Sequence, residues 1–156
     1  MALEFYLRLQ TSLKSEEVIN YILRDNEFNR SNNNDDGDFY GNGFIAWVYP
    51  MDKDSMDIVF EEVGIQTNPN IRCWHRSSEY EEGMRNILKI FVSTLKYTNG
   101  DAVIQLEFDD IKLIRKDGKI FLDPKAFSKD EEAIWRFEDI PFNYFIKELN
   151  SYNVLQ

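Results

Sequence analysis

The chain has 156 residues, 43% apolar and 15% aromatic, with 18 basic against 28 acidic side chains and a net charge of −10. That is enough apolar chain to close a real core, and it excludes wholesale disorder. A single cysteine and a single histidine exclude an intrachain disulfide and an ordinary Cys/His zinc site, and no apolar run approaches the ~20 residues of a membrane-spanning helix. The opening Met1-Ala2-Leu3-Glu4-Phe5 carries an acid where a secretion signal would carry lysines, so the expectation is a cytoplasmic protein. The acidity is uneven: residues 1–70 balance at −8, residues 71–123 at zero and residues 124–156 at −2. Such a field repels nucleic acid and anionic membrane and attracts basic partners. On charge alone, solubility is a sufficient explanation.

Leu3, Phe5, Leu7 and Leu9 alternate with Glu4, Tyr6 and Arg8, which is the period of a half-buried strand over 3–9. Ser15 stands as a cap before a short helix from Glu16 to Arg24 with Val18, Ile19, Ile22 and Leu23 as its stripe. Asn26 to Gly43 is polar and reads as an exposed loop, with Phe39 and Tyr40 unexpected inside it. Phe44–Tyr49 is an apolar strand closed by Pro50, and residues 57–63, with Ile58 and Phe60 against Val59 and Glu61, read as a second strand in hairpin with it. Ile71–Arg76 gives a further strand, with Ile71, Cys73 and His75 on one face.

The stretch from Ser77 to Asp123 organises the rest. Ser78 and Glu81 match a capping box, and Tyr80, Met84, Ile87, Leu88, Phe91 and Leu95 recur at helical steps over 79–97. Asn99-Gly100 is the expected stop, through a left-handed glycine. The period then changes to two: strands are expected over 102–108, 111–116 and 119–122, with turns at Asp109-Asp110 and Asp117-Gly118. Beyond Asp123, Ser128 and Glu131 suggest a short helix around Ala133-Ile134-Trp135, and Pro141–Leu149 a last one. The reading is a single α+β domain over 1–156, a mostly antiparallel sheet covered by helices: strand, helix, three strands, helix, three-stranded meander.

Chemistry is sparse in the pattern. Asn32, Asn34, Asp36 and Gly37 imitate the start of a calcium loop, but Gly43 falls where the bidentate glutamate must stand, so no metal is expected. Cys73 and His75 share a strand face, and that pair reads as structural rather than as a nucleophile and its base. No P-loop or dinucleotide glycine pattern occurs, so no cofactor is expected and an enzyme is the weaker class.

Two stretches resemble a known family. Met1-Ala2-Leu3-Glu4-Phe5-Tyr6-Leu7-Arg8-Leu9 resembles the opening of the Sit immunity proteins. Gly100-Asp101-Ala102-Val103-Ile104-Gln105, with Leu113-Ile114-Arg115-Lys116-Asp117-Gly118-Lys119-Ile120-Phe121-Leu122, resembles that family's other shared stretch. Residues 26–70 lie outside both. The resemblance implies a bacterial immunity protein that neutralises a cognate swarming-inhibition toxin by stoichiometric binding and does no chemistry. It supplies no binding motif. The candidate toxin-binding residues therefore come from the acids and aromatics of the unmatched region: Asp35, Asp36, Asp38, Phe39, Tyr40, Asp52 and Asp54. Loop acids steer a basic partner and aromatics anchor it. No nucleic acid or membrane partner is expected, and the sequence leaves the oligomeric state open. The alternatives are a small acidic enzyme or metal-dependent module, and a general adaptor subunit.

Overall fold

The computed structural model describes residues 3–32, 37–107, 110–128 and 135–150. In chain order the elements are β1 (Leu3–Leu9), α1 (Ser15–Asp25), β2 (Asn29–Arg30), β3 (Phe39–Gly41), β4 (Phe44–Tyr49), α2 (Lys53–Val63), β5 (Asn70–His75), α3 (Tyr80–Tyr97), β6 (Ala102–Leu106), β7 (Asp110–Lys116), β8 (Lys119–Leu122), β9 (Phe127–Ser128), β10 (Trp135–Arg136) and β11 (Phe145–Ile146). Nine strands form one sheet in the order β11-β8-β7-β6-β1-β5-β4-β3-β2, while β9 and β10 pair separately. All neighbours in the large sheet are antiparallel except β8 and β11. This is the expected α+β architecture. The first strand sits in the middle of the sheet, hydrogen-bonded on both sides by β5 and β6.

Strand alternation divides the sheet into two faces. Phe5, Leu7, Cys73, Ala46 and Ile104 point to one, where Ile19 and Ile22 of α1 and Ile87 and Phe91 of α3 close the main core over them. The α3 stripe is buried through Met84, Ile87, Leu88, Phe91 and Leu95, but Tyr80, its expected first member at the helix start, is 51% exposed. The second face carries a smaller core at one end, where Val59 and Val63 of α2 pack with Val103, Ile114, Ile65 and Leu149.

Residues 57–63 correct the sequence reading: they are helical, not a strand. Met56, Val59 and Val63 fall at steps of three and four, and strong end signals reinforce that stripe. Asp52 Oδ1 accepts the Ser55 N–H at 2.7 Å, and Gly64 at φ 71° donates its N–H to the Phe60 carbonyl at 2.8 Å. The alternation of Ile58 and Phe60 is an exposed helix surface, the two being 55% and 50% exposed. β4 therefore pairs with β5 and β3 rather than with a hairpin partner at 57–63.

Other boundaries shift for local reasons. Ser15 is the first helical residue rather than the cap, and Glu17 Oε1 reaches back to the Lys14 N–H at 3.1 Å. Ser77–Glu79 forms one 3-10 turn, so Ser78 does not cap α3, which begins at Tyr80 behind Glu79. Thr98 is the extended cap at its other end, and Gly100 is not left-handed. Glycine is needed at 100 because a Cβ would strike the Gln10 carbonyl oxygen. The polar stretch 26–43 contributes β2 and β3 to the sheet. The Asp117-Gly118 turn is as expected, with φ of 50° and 78°.

Residues 108 and 109 lie outside the described chain, so the Asp109-Asp110 turn is seen only at Asp110, which opens β7. The expected helix around 128–135 falls largely on residues outside the description, but Trp135 itself is in a strand opposite Phe127. Residues 141–149 are not a helix. Phe145 and Ile146 pair with Phe121 and Leu122, the Lys147 N–H donates to Leu122 O at 3.0 Å, and Leu149 N donates to Asp123 Oδ2 at 2.9 Å. The free edge of β8 and the Asp123 carboxylate take up backbone groups that a helix would have paired internally.

Candidate functional site

Three cross-strand rows run across the second face beside and under the edge of α2; their aromatics reach solvent, while Ile45, Tyr6, Asn70, Arg8, Gln105 and Val103 within them are buried. Tyr40, Ile45, Trp74 and Glu4 form the first. Trp47, Arg72, Tyr6 and Gln105 form the second. Tyr49, Asn70, Arg8 and Val103 form the third. Aromatics stand out on it: Trp74 is 40% exposed, Tyr49 38% and Tyr40 37%. Trp, Tyr and Arg are the residues that dominate protein interfaces, because each offers much apolar area with a polar handle.

A hydrogen-bonded network holds this surface in place. Arg72 donates to Glu4 at 2.6 Å, and the Tyr6 hydroxyl donates to the other Glu4 oxygen at 2.7 Å. The Arg72 guanidinium lies 5.1 Å from the Trp47 ring and 6.0 Å from the Trp74 ring, and the two indoles meet edge to face at 6.1 Å. Burial raises the Glu4 carboxyl, but the bonds from Tyr6 and Arg72 outweigh it and hold it below its usual range. Burial and the Glu4 carboxylate push the Tyr6 phenol up. The Asn70 amide donates to the Tyr49 hydroxyl at 2.8 Å.

Where α2 meets this face it leaves a groove of about 440 Å³. Its floor includes Tyr6, Arg8, Asn70 and Gln105, and its rim Tyr49, Asp52, Ile58 and Glu62. The groove joins the aromatic rows to α2, whose exposed surface sets Ile58 and Phe60 among Asp54, Asp57 and Glu61.

The sequence candidates fall in different places. Asp35 and Asp36 lie outside the described residues. Asp38 is half-buried and accepts the Val48 N–H at 2.8 Å, tying its loop to β4. Phe39 is 0% exposed, packed between Phe28 and Phe44 in the main core, so its ring meets no partner at the surface. Tyr40, the next residue, turns to the second face as alternation requires. Asp52 caps α2 at the groove rim, where the Ser55 N–H holds its carboxyl below the usual range, and Asp54 is exposed in the first turn. Tyr40 and Asp52 thus share one side of the sheet, and Phe39 faces the other. Sequence reasoning missed Trp47, Arg72, Trp74, Tyr49 and Arg8. The signal was present in the alternation, which set Arg72 and Trp74 opposite the apolar Ile71 and Cys73 on β5.

Cys73 and His75 are core residues, 0% and 1% exposed. Burial pushes the Cys73 thiol up, away from the thiolate that a nucleophile needs. His75 Nε2 lies 3.1 Å from the Tyr80 carbonyl oxygen, and its Nδ1 has no partner among the described residues. Among the described residues no group of three or more His, Cys, Asp or Glu side chains is placed to hold a metal, and no helix is long and apolar enough to cross a membrane.

The fold and its surface define an α+β protein with one sheet face closed by two helices and the other covered in part by α2, with aromatics exposed beside it. The chain belongs to the SitI3-like family, whose model matches residues 3–132. That agrees with the resemblance to Sit immunity proteins, and the match runs through residues 26–70, which the shared stretches left out. Neither the curated proteins nor the solved structures compared with the chain gave a match.

Proposed function

We propose that this chain is an immunity protein that neutralises a cognate bacterial toxin domain by stoichiometric binding, with no turnover of its own. Membership of the SitI3-like family supports the class. The observation that carries the mode of action is the second sheet face, where Trp74, Tyr49 and Tyr40 stay exposed beside the acidic α2. Exposed aromatics next to a partly covered sheet would be buried by a partner. The occupant is a toxin domain with a basic docking surface. From Asp52 to Val63 the chain has five acids and one lysine, and residues 1–70 balance at −8. Asp35, Asp36, Asp38, Asp52 and Asp54 steer that partner, and Tyr40, Trp47, Tyr49 and Trp74 anchor it. An enzyme that destroys the toxin's effect is the weaker reading, because the lone cysteine and the lone histidine are both sealed in the core.

The test is growth rescue joined to a binding measurement. Cells producing the toxin domain encoded beside this gene survive when this chain is co-produced, and the two proteins elute as a complex of fixed ratio. Rescue without any complex, lost on changing His75 or Cys73, would mean catalysis instead.

A further inference from the structure

The described residues hold three cations below 10% exposure: Lys112 at 5%, Arg115 at 6% and Arg8 at 7%. Two are fully explained by the fold. Lys112 donates to Asp110 at 2.7 Å. Arg115 donates to the carbonyls of Gly100 and Leu95 at 2.7 Å each and to the Thr98 hydroxyl at 2.9 Å, which ties the end of α3 to the meander. Arg8 is different. Its Nε donates to Gln105 Oε1 at 2.7 Å, its guanidinium lies 4.8 Å from the Tyr6 ring, and no ion pair to it occurs among the described residues. Arginine has five N–H donors, and a buried charge is costly unless paired. Burial lowers the Arg8 pKa, outweighing the favourable field of Tyr6, Tyr49 and the rim acid Glu62, none of which forms an ion pair with it. Arg8 also lines the groove beside α2, with Tyr49 and Ser55 nearby as hydroxyl donors and acceptors.

Resting on the toxin-binding reading above, we infer that the groove between α2 and the second sheet face receives a carboxylate side chain, Asp or Glu, from the toxin, and that the Arg8 guanidinium pairs with it. A carboxylate matches the planar guanidinium with two parallel hydrogen bonds. The acids on the rim, Asp52 and Glu62, sharpen the requirement. They repel a free anion from bulk water, so the carboxylate must arrive on a surface whose own lysines or arginines offset the rim. A groove of about 440 Å³ has room for one such side chain and its loop, not for a folded element. Specificity then comes from both signs together: a basic toxin lacking the inserted acid leaves Arg8 buried and unpaired in the complex.

The experiment uses the toxin domain encoded beside this gene, in an inactive form, against wild type, Arg8→Lys and Arg8→Met, with thermal unfolding of each variant alone. Binding of wild type is the first reading, and its absence would defeat the proposed function itself. Given binding, Arg8→Met raises Kd by at least about tenfold, and Arg8→Lys, which keeps charge but not the fork, recovers only part of it. Each toxin Asp and Glu is then changed to its amide. One of them costs as much as Arg8→Met, and combining that change with Arg8→Met costs little more than either alone. If Arg8→Met unfolds, the same cycle is read with Arg8→Lys. Toxin binding that survives every Arg8 variant, or losses that simply add, overturns the groove assignment and leaves the toxin-binding reading standing.

Discussion

Arg72 on β5 donates to Glu4 on β1 at 2.6 Å, and the same carboxylate takes the Tyr6 hydroxyl at 2.7 Å. Those bonds fix the guanidinium against Trp47 and Trp74 at 5.1 and 6.0 Å, so an ion pair sets the orientation of two aromatic side chains. Interfaces gain from anchors held in their bound geometry before the partner arrives, because less entropy is lost on docking.

The pair makes stability depend on pH in a fixed direction. The folded Glu4 carboxyl lies below its ordinary value of 4.5. A group lowered on folding contributes stability that is complete above its unfolded value and is lost as pH falls through the folded one. Wild type should therefore weaken with acid below about pH 4.5. Glu4→Gln should show a shallower slope in that range and lower stability at neutral pH. Urea unfolding at several pH values checks both, and parallel slopes would assign the acid sensitivity to other carboxylates.

Phe39 and Tyr40 are neighbours with opposite roles, and substitution should separate them. Phe39→Ala removes a ring 0% exposed from the main core and should cost about 3–5 kcal/mol of stability. Tyr40→Ala and Trp74→Ala remove surface rings and should change stability little, while each speeds toxin dissociation by a free energy of about 1–3 kcal/mol. Chemical denaturation together with surface-plasmon kinetics tells the two classes apart. Equal loss of stability in all three variants would remove the case for a docking face.

How much was readable in the sequence follows the same division. The central strands and α3 carry unbroken periods of two and 3.6, and they formed where those periods put them, because one face of each meets a single core. Residues 57–63 defeated the reading because Ile58, Phe60 and Val59 fit both periods over so short a run. The Asp52 cap and the Gly64 stop were the deciding signals. Residues 141–149 misled for a different reason: their apolar spacing is helical, but the Asp123 carboxylate and the β8 edge capture the backbone, and neither is local in sequence. The second face was half legible. Alternation marked Arg72 and Trp74 as opposite to the core, but only strand order brings them beside Trp47, Tyr6 and Tyr40.

The α2 cap yields a stability prediction with a functional echo. Asp52 accepts the Ser55 N–H at 2.7 Å, and it also stands on the groove rim. Asp52→Ala should cost about 0.5–2 kcal/mol of stability, whereas Asp52→Asn, which keeps the cap, should cost little. If Asp52 also steers the toxin, Asp52→Asn should still slow association. Stopped-flow mixing and thermal unfolding of the two variants separate cap from charge.

The last prediction concerns that steering. Asp35, Asp36, Asp38, Asp52 and Asp54 lie in the half of the chain that balances at −8. Opposite charge on a partner speeds encounter over distances that salt shortens to ~8 Å at physiological ionic strength. Association with the toxin should therefore slow as salt rises, while dissociation, governed by buried contacts, should change much less. Replacing Asp35 and Asp36 by Asn should lower the association rate and flatten its salt dependence, with little effect on dissociation. Asp38→Asn belongs in a separate variant, because its carboxylate accepts the Val48 N–H at 2.8 Å and the replacing amide must point its oxygen there to keep β4 in place. Stopped-flow fluorescence from Trp47 and Trp74 reports the encounter directly. An association rate indifferent to salt in wild type would show that shape alone, and not the acidic field, brings the toxin to this face.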